Sequence, residues 1–388
     1  TVGRARKLLL LGCLNVVVAV VVLEGGVRWL GLVPDQFFMP DAMTGVSHIP
    51  RKVGRWTSSG FDVQIRINAH GFRDREREER KPAGTWRAVV LGDSITEAFQ
   101  VSLEQTFVSV LERRLNSPAH PAEVLNLGIS SIGTAQEYLV FKRYGVRYSP
   151  NLVILAFFTA NDFRNNSRRL ESDAHLRYPV PTREGGLARD GNGDIVFTQA
   201  SHSGALKGFL RANVRSYRFL SDTAKGIEPV LRAFYRRADS GKIADTTDAD
   251  DRSYGVYRRD PSPAWQEAVT ITFDMIEELD RIVRRSGATL FVLVVPGPWE
   301  VDPVWAGRTP MTGGGWSVER PEGLLMEFLK SRRLPALAVS DVFREYVRRG
   351  TDVYSPHDGH LSAAGHRLVG DRLAEALEAQ GLAPSGRQ

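Results

Sequence analysis

Cysteine is almost absent from the sequence: Cys13 is the single one among 388 residues. One thiol cannot form an intrachain disulfide, and it cannot supply a metal site built from several cysteines. The eight histidines include no His-Glu-x-x-His pair, so the sequence indicates neither a metal centre nor another cofactor. The net charge of +6 is small, and the arginines are scattered rather than gathered into a basic patch with aromatic residues. Nucleic acid is therefore not expected as a partner.

The longest apolar run lies near the start of the chain, from Leu8 to Leu23. It has about 16 residues, and a helix that crosses a bilayer needs roughly 17–25, so apolar residues beyond Leu23 would have to complete the span. Glu24 and Arg28 lie four residues apart and could pair on one face of that helix. Three basic residues come before the run: Arg4, Arg6 and Lys7.

This pattern fits either a cleaved signal peptide or an uncleaved signal anchor. No small-x-small cleavage site follows the apolar run, which favours the anchor. Basic residues before the span predict that the amino end is cytoplasmic and that the bulk of the protein is extracytoplasmic, in the periplasm or at the cell surface. The membrane is thus a predicted partner, through a transmembrane helix within residues 1–32.

The remaining chain divides by composition. Residues 33–84 are predicted to form a linker and a short strand segment, of which 34–60, rich in Pro, Gly, Ser and Met, indicates a tether. Residues 85–164 and 262–380 alternate strand and helix patterns, and 381–388 form a tail. Residues 165–261 interrupt this alternation as an insertion, which could be a lid, a substrate wall or a variable surface excursion. Its acidic stretch 242–252 is expected to be mobile.

A short β-branched run, Ala88–Leu91, ends in Gly92-Asp93-Ser94, and helix-permissive residues begin at Ile95. This pattern predicts a strand, a sharp turn and a helix. Ser94 would then lie at the carboxyl end of a strand, where open α/β sheets bind ligands. A helix beginning there would also direct N–H groups and the positive end of its dipole towards Ser94. On this stretch alone, Ser94 could equally be a helix cap.

Two further strands end in small or polar residues. Val124–Leu127 leads into a Gly/Ser-rich loop that ends at Thr134, and Leu152–Phe157 leads to Asn161 and Asp162. The loop could offer backbone N–H groups to a neighbouring strand end, although most such loops are simply tight turns. Asn161 could cap the following helix. Its amide could also donate to an oxyanion, where one donor is worth roughly 3–4 kcal/mol of barrier.

Near the carboxyl end, Asp358 and His360 lie two residues apart on a Pro/Gly-rich loop before a helix predicted at about 362–380. A single histidine in such a place is more often a cap or a surface residue. An Asp-x-His loop that follows three blocks of polar residues at strand ends is less easily explained in that way.

These blocks together resemble the SGNH, or GDSL-type, hydrolases, and in particular a membrane-anchored bacterial branch. The matching blocks are Gly92-Asp93-Ser94, the stretch from Asn126 to Thr134, Ala160-Asn161-Asp162 and Asp358-Gly359-His360. They cover roughly half of the chain together with their strands. Two positions depart from the family's pattern. Ser131 stands where the family usually has its oxyanion glycine, and the acid comes two residues before the histidine, where many members have three.

The resemblance implies a role for each residue of the blocks. Ser94 would be the nucleophile, His360 its general base and Asp358 the acid that orients the base. The oxyanion hole would combine the backbone N–H of Ser94, a backbone N–H at Ser131 and the side chain of Asn161. No metal takes part in this scheme.

The resemblance also implies a three-layer α/β/α, flavodoxin-like fold with about five parallel strands, the last two at Thr289–Val295 and Leu337–Val339. It implies a serine esterase that removes an acyl group, in the first place acetyl, from a carbohydrate or cell-envelope substrate. Two alternatives remain open. One is a polysaccharide O-acyltransferase, which would pass the acyl group from Ser94 to a sugar hydroxyl and would need a membrane acyl-donor partner. The other is a non-catalytic carbohydrate-binding module.

Overall fold

The computed structural model describes residues 2–58, 60–171, 173–182, 184–200, 210, 214–221, 223 and 252–384. They fall into two compact units. The first contains residues 2–39 and the described residues between 210 and 223, and the second contains residues 40–200 and 252–384. The acidic stretch that is predicted to be mobile lies outside the described residues, except for Arg252.

The first unit is built around helix α1, Val2–Trp29. Its segment Leu10–Trp29 has 20 residues with a mean hydropathy of 2.3, which is long and apolar enough for a membrane span or a signal sequence. Oε1 of Glu24 accepts a hydrogen bond from Nε of Arg28 at 2.6 Å, as their spacing predicts. Residues 215–221 of this unit are also helical.

Four short strands follow α1 in the sequence: β1 (Phe38–Asp41), β2 (Gly45–His48), β3 (Val53–Ser58) and β4 (Phe61–Arg66). They form two separate two-stranded sheets, β1 with β2 and β3 with β4. The stretch that the sequence indicates as a tether therefore contains three strands. The Asp41 carboxylate closes the first turn by accepting the N–H groups of Met43 and Thr44, each at 2.9 Å. Such a local turn lets even four-residue strands pair.

The main sheet has five parallel strands in the order β6-β5-β7-β8-β9. Their bounds are Trp86–Gly92 for β5, Ala122–Asn126 for β6, Leu152–Phe158 for β7, Thr289–Val295 for β8 and Ala336–Ala338 for β9. The order reverses once, because β6 lies on one side of β5 and all later strands lie on the other. This is the flavodoxin-like order, in which ligands bind beyond the switch point, here between β5 and β7.

The helices of this unit differ in length. They are α2 (Ser94–Glu97), α3 (Phe107–Leu115), α4 (Thr134–Arg143), α5 (Asp162–Asn165), α6 (Arg168–Glu171), α7 (Pro263–Arg285), α8 (Pro298–Val301), α9 (Pro303–Ala306), α10 (Arg320–Ser331), α11 (Ser340–Arg348) and α12 (Ala363–Ala379).

Successive strand residues face opposite sides of the sheet, so each side has its own core. Val89, Leu155 and Val292 pack with α4, α7 and α10, whereas Val90 and Ile154 pack with α3, α11 and α12. Burial on both faces explains why these strands are continuous apolar runs without alternation. The predicted three-layer α/β/α fold is confirmed, and β9 lies one residue earlier than expected.

Candidate active site

Ser94 lies at the end of β5, where the chain turns into α2. A Cβ on Gly92 would lie 2.1 Å from Oγ1 of Thr96 and 3.2 Å from the carbonyl oxygen of Ala156 on β7, so the turn has no room for a side chain at this position. Helix α2 has a single turn, and the residue that follows it, Ala98, has a φ of +60°. Individual N–H groups, rather than the dipole of a long helix, therefore face the surroundings of Ser94.

The structure brings Ser94, His360 and Asp358 together at the carboxyl edge of the sheet. Nε2 of His360 lies 3.0 Å from Oγ of Ser94, and Nδ1 lies 3.0 Å from Oδ2 of Asp358. The backbone N–H of His360 also donates to Oδ1 of Asp358 at 3.2 Å. His357, which comes three residues before His360, is exposed and takes no part in these contacts. The acid at the two-residue spacing is thus the one that contacts the imidazole.

The tautomer of His360 with its proton on Nδ1 satisfies both contacts, since Nε2 can then accept the Ser94 hydroxyl. Burial lowers the pKa of His360, but the hydrogen bond to Asp358 and the negative charges of Asp358 and Asp93 outweigh burial and raise the pKa above its ordinary value. Burial raises the pKa of Asp358, and the contacts with His360 lower it further than burial raises it. Asp358 is therefore ionised at neutral pH, as an orienting acid must be.

Asn161 follows β7, next to β5, and its side chain points to the turn before Ser94. Nδ2 donates to Oδ2 of Asp93 at 2.7 Å. The side chain makes no capping hydrogen bond to α5, although Asn161 occupies the cap position. The capping alternative for Asn161 is therefore not what the structure shows. Asp93 uses one carboxylate oxygen for this amide and the other for the N–H of Ile95 at 2.9 Å. Among the described residues Nδ2 has no second acceptor, so its other N–H can donate to a bound group.

Ser131 lies in the loop after β6 and is exposed. Its φ of +66° is in the left-handed region, where a non-glycine residue is strained by about 1–3 kcal/mol. The loop is tied to β5, because the N–H of Leu127 donates to Val90 at 2.9 Å and that of Ile129 to Gly92 at 3.1 Å. Within the part of the chain that the structure describes, the N–H groups of Ser94 and Ser131 have no hydrogen-bond acceptor. Both can donate to a bound group.

Three buried carboxyl groups lie behind this edge of the sheet, on Asp93, Glu137 and Asp162. Burial raises the pKa of Asp93, and it raises those of Glu137 and Asp162 well above their ordinary values, since each also feels the charge of its neighbours. Across the described residues, no group of three or more His, Cys, Asp or Glu side chains is arranged to hold a metal ion.

Sequence reasoning missed one set of polar residues beside the site. Glu97 on α2, Ser130 in the loop after β6 and His48 on β2 are joined by hydrogen bonds. Ser130 lies within the block from Asn126 to Thr134, and Glu97 comes three residues after Ser94, so their proximity to the site was foreseeable. His48 lies in a hairpin outside the main sheet, and no spacing or periodicity in the sequence points to it.

Comparison with known proteins gives likenesses at the level of structure. Neither a protein-family model nor a curated protein matches the sequence. Among solved structures, the chain is similar to an acetyl xylan esterase, with 11% identity, 75% of this chain and 99% of that chain covered, and a TM-score of 0.39.

Two other solved structures show a similar degree of likeness. A member of the lipolytic protein G-D-S-L family from Veillonella parvula has 11% identity, 75% and 97% coverage and a TM-score of 0.39. The lipase/acylhydrolase from Enterococcus faecalis has 13% identity, 76% and 96% coverage and a TM-score of 0.39. The fold described above rests on the strand order and register of this chain, not on these likenesses.

Proposed function

We propose that this chain is a serine esterase that hydrolyses acyl esters through an acyl-Ser94 intermediate. The observation that carries the proposal is the continuous line of contacts from Oγ of Ser94 through His360 to Asp358, with 3.0 Å at both steps. His360 would take the Ser94 proton as Oγ attacks the ester carbonyl, and would give it to the departing alcohol. Water, deprotonated by the same imidazole, would then attack the acyl-serine and release the acid and the free hydroxyl.

The oxyanion formed in both steps needs donors that are already in place. We propose that the backbone N–H groups of Ser94 and Ser131 and the second N–H of Asn161 supply them. The hydrogen bond from Asn161 to the buried Asp93 supports this assignment, because it fixes the amide plane. The tie of the Ser131 loop to β5 supports it for the backbone donor.

We propose hydrolysis rather than acyl transfer because the site is open to water. The side chains of His360 and Asp358 are 28% and 25% exposed. A transferase must keep water away from its acyl-enzyme, and such exposure works against that. For the substrate we propose an acyl ester, in the first place an acetyl ester, on a carbohydrate or cell-envelope polymer, which an anchored enzyme would meet outside the cytoplasm.

The location is part of the same proposal. Helix α1 would stay in the membrane, with Arg4, Arg6 and Lys7 on the cytoplasmic side and the second unit outside. Protease added to intact spheroplasts should then degrade the second unit. In a separate experiment without protease, the protein should stay with the membrane after carbonate extraction. Protection from protease would contradict the topology without touching the proposed chemistry.

The experiment that tests the chemistry is turnover of p-nitrophenyl acetate by the detergent-solubilised full chain. Ser94→Ala should lower kcat on the order of 10⁴-fold. Ser331→Ala is the matched control, because this exposed serine lies at the end of α10 and should leave turnover unchanged. If kcat falls less than roughly tenfold in both Ser94→Ala and His360→Ala, the assignment of Ser94 as nucleophile and His360 as base is wrong. No turnover by a well-folded wild-type chain would exclude the simple esterase.

A further inference from the structure

His48 is a buried histidine that the proposed chemistry does not use. It ends β2, outside the five-stranded sheet, and is 1% exposed. Nδ1 lies 2.9 Å from the carbonyl oxygen of Gly71, and Nε2 lies 2.6 Å from Oε1 of Glu97. A carbonyl oxygen can only accept, so Nδ1 carries a proton, and a further proton lies between Nε2 and the carboxyl oxygen. The two contacts therefore fix the orientation of the imidazole ring, with Nε2 towards Glu97.

Glu97 is the last residue of α2, three positions after Ser94, and it is 2% exposed. Besides the contact with His48, its Oε1 accepts the backbone N–H of Ser130 at 3.0 Å, and its Oε2 accepts the Ser130 hydroxyl. A carboxyl group at this depth is costly unless it is paired and hydrogen-bonded. The imidazole on one side and the two Ser130 donors on the other meet that requirement.

Ser130 immediately precedes Ser131, and the peptide group between them carries the Ser131 N–H. Glu97 accepts the N–H of Ser130, which belongs to the preceding peptide group, and the Ser130 hydroxyl, so it holds Ser130 from both its backbone and its side chain and thereby fixes the residue from which the Ser130–Ser131 peptide group starts. The left-handed φ of Ser131 is strained, so its conformation depends on such outside contacts. The same carboxyl group belongs to the helix that starts at Ser94. The two proposed backbone donors of the oxyanion hole are thus held through one side chain.

We propose that His48 and Glu97 are positioning residues for the oxyanion hole. His48 holds the Glu97 carboxyl group, and Glu97 holds the Ser130–Ser131 peptide so that the Ser131 N–H faces the carbonyl oxygen of the ester at Ser94. This inference rests on the proposed function. It gives the small hairpin β1–β2 a specific task in the reaction, although the hairpin contributes no group that touches the substrate.

Two substitutions of His48 separate the contacts of its two nitrogens. His48→Asn places an amide where Nδ1 was and keeps the donor to Gly71, but it loses the contact with Glu97. His48→Gln places an amide near the position of Nε2 and keeps a donor to Glu97. With p-nitrophenyl acetate, His48→Asn should lower kcat roughly tenfold to a hundredfold at nearly constant KM, the cost of about 1 Å of misplacement. His48→Gln should stay much closer to the wild type.

Hydrogen exchange in the same full-length proteins gives a readout that does not depend on activity. The amides of residues 128–132 should exchange faster in His48→Asn than in the wild type or in His48→Gln, while the amides of β7 should not change. Unchanged exchange in this loop would overturn the inference. Equal impairment of His48→Gln and His48→Asn would also overturn it, because packing rather than the contact with Glu97 would then be the cause.

Two controls keep the test decisive. If His48→Asn fails to fold, Ser130→Ala takes its place, because it removes only the hydroxyl donor to Glu97. Ser130→Ala should lower kcat and speed exchange of residues 128–132, both to a smaller extent. Wild-type behaviour of Ser130→Ala would then overturn the inference. Turnover that vanishes in Ser94→Ala decides the proposed function separately. Faster loop exchange in His48→Asn without any Ser94-dependent turnover in the wild type would overturn the proposed function and, with it, the catalytic purpose of this contact chain.

Discussion

Replacing Asn161 by alanine removes an amide that stands between a buried acid and the proposed oxyanion. One N–H of Nδ2 is used by Asp93 at 2.7 Å, and the other is the proposed donor to the reacting oxygen. Loss of one such donor should lower kcat about 10²- to 10³-fold, which corresponds to roughly 2.7–4 kcal/mol. KM should change little, because the donor acts mainly on the charge of the transition state.

The same substitution also affects stability. Asp93 is fully buried and loses one of its two hydrogen-bond donors, and an unsatisfied buried acceptor costs roughly 1–3 kcal/mol of folding free energy. The hydrogen bond from Asn161 lowers the pKa of Asp93, so its loss raises that pKa further. Proton uptake by Asp93 then reduces the cost of leaving the carboxyl group buried without the amide.

The assay is kcat and KM for p-nitrophenyl acetate, with urea denaturation of the same samples. Asn151→Ala is the matched control, because Oδ1 of Asn151 accepts the N–H of Arg87 at 2.9 Å, near the start of β5 and far from the site. It should lower stability without lowering kcat. A folded Asn161→Ala variant that keeps kcat within about threefold of the wild type would refute the donor assignment. An equal loss of kcat in both variants would point to stability instead.

Three more predictions follow from charge and packing. Only the neutral imidazole accepts a proton, so the raised pKa of His360 predicts that kcat/KM falls as pH drops, with a midpoint above the ordinary pKa of about 6.5. Asp358→Asn should move that midpoint to lower pH, and an unchanged midpoint would contradict the reasoning. Burial lowers the pKa of His366 to about 3, so below about pH 6.5 the unfolded chain binds one more proton than the folded chain, and the free energy of unfolding should fall by about 1.4 kcal/mol for each unit by which the pH is lowered. Urea denaturation between pH 4 and 6 should show that the unfolding free energy of His366→Phe depends less steeply on pH than that of the wild type, and an equal dependence would exclude the effect. A Cβ on Gly128 would lie 2.5 Å from the backbone nitrogen of Glu97, so Gly128→Ala should destabilise the protein by about 1–3 kcal/mol. Thermal unfolding measures this, and an unchanged midpoint would show that the loop can shift to accommodate the methyl group.

The main sheet can be predicted from the sequence because its strands are buried on both faces. Leu152–Phe158 and Thr289–Val295 are continuous apolar runs, and such runs between helix patterns are typical of parallel strands. Strands β1 and β2 could not be predicted in the same way. They have four residues each, and their pairing depends on a turn held by Asp41, which composition does not reveal.

For the site, the sequence predicts which strand ends carry polar residues, and the structure places Ser94, His360 and Asp358 within hydrogen-bond distance. Their catalytic roles remain predictions. The length of α2 was not predictable, because the left-handed residue that ends it is an alanine rather than glycine. The pairing of His48 with Glu97 was not predictable either, since two buried polar residues 49 positions apart leave no periodic pattern.

Ser94 and His360 are 266 residues apart in the chain. A ribosome that adds roughly 5–20 residues per second needs on the order of ten seconds to a minute to pass from one to the other. Throughout that interval the nascent chain carries its serine without the imidazole that would activate it. Helix α1 precedes Ser94 in the chain, so it has left the ribosome long before His360 is made. The proposed nucleophile and base can therefore meet only after His360 has been made, when helix α1 has long been outside the ribosome.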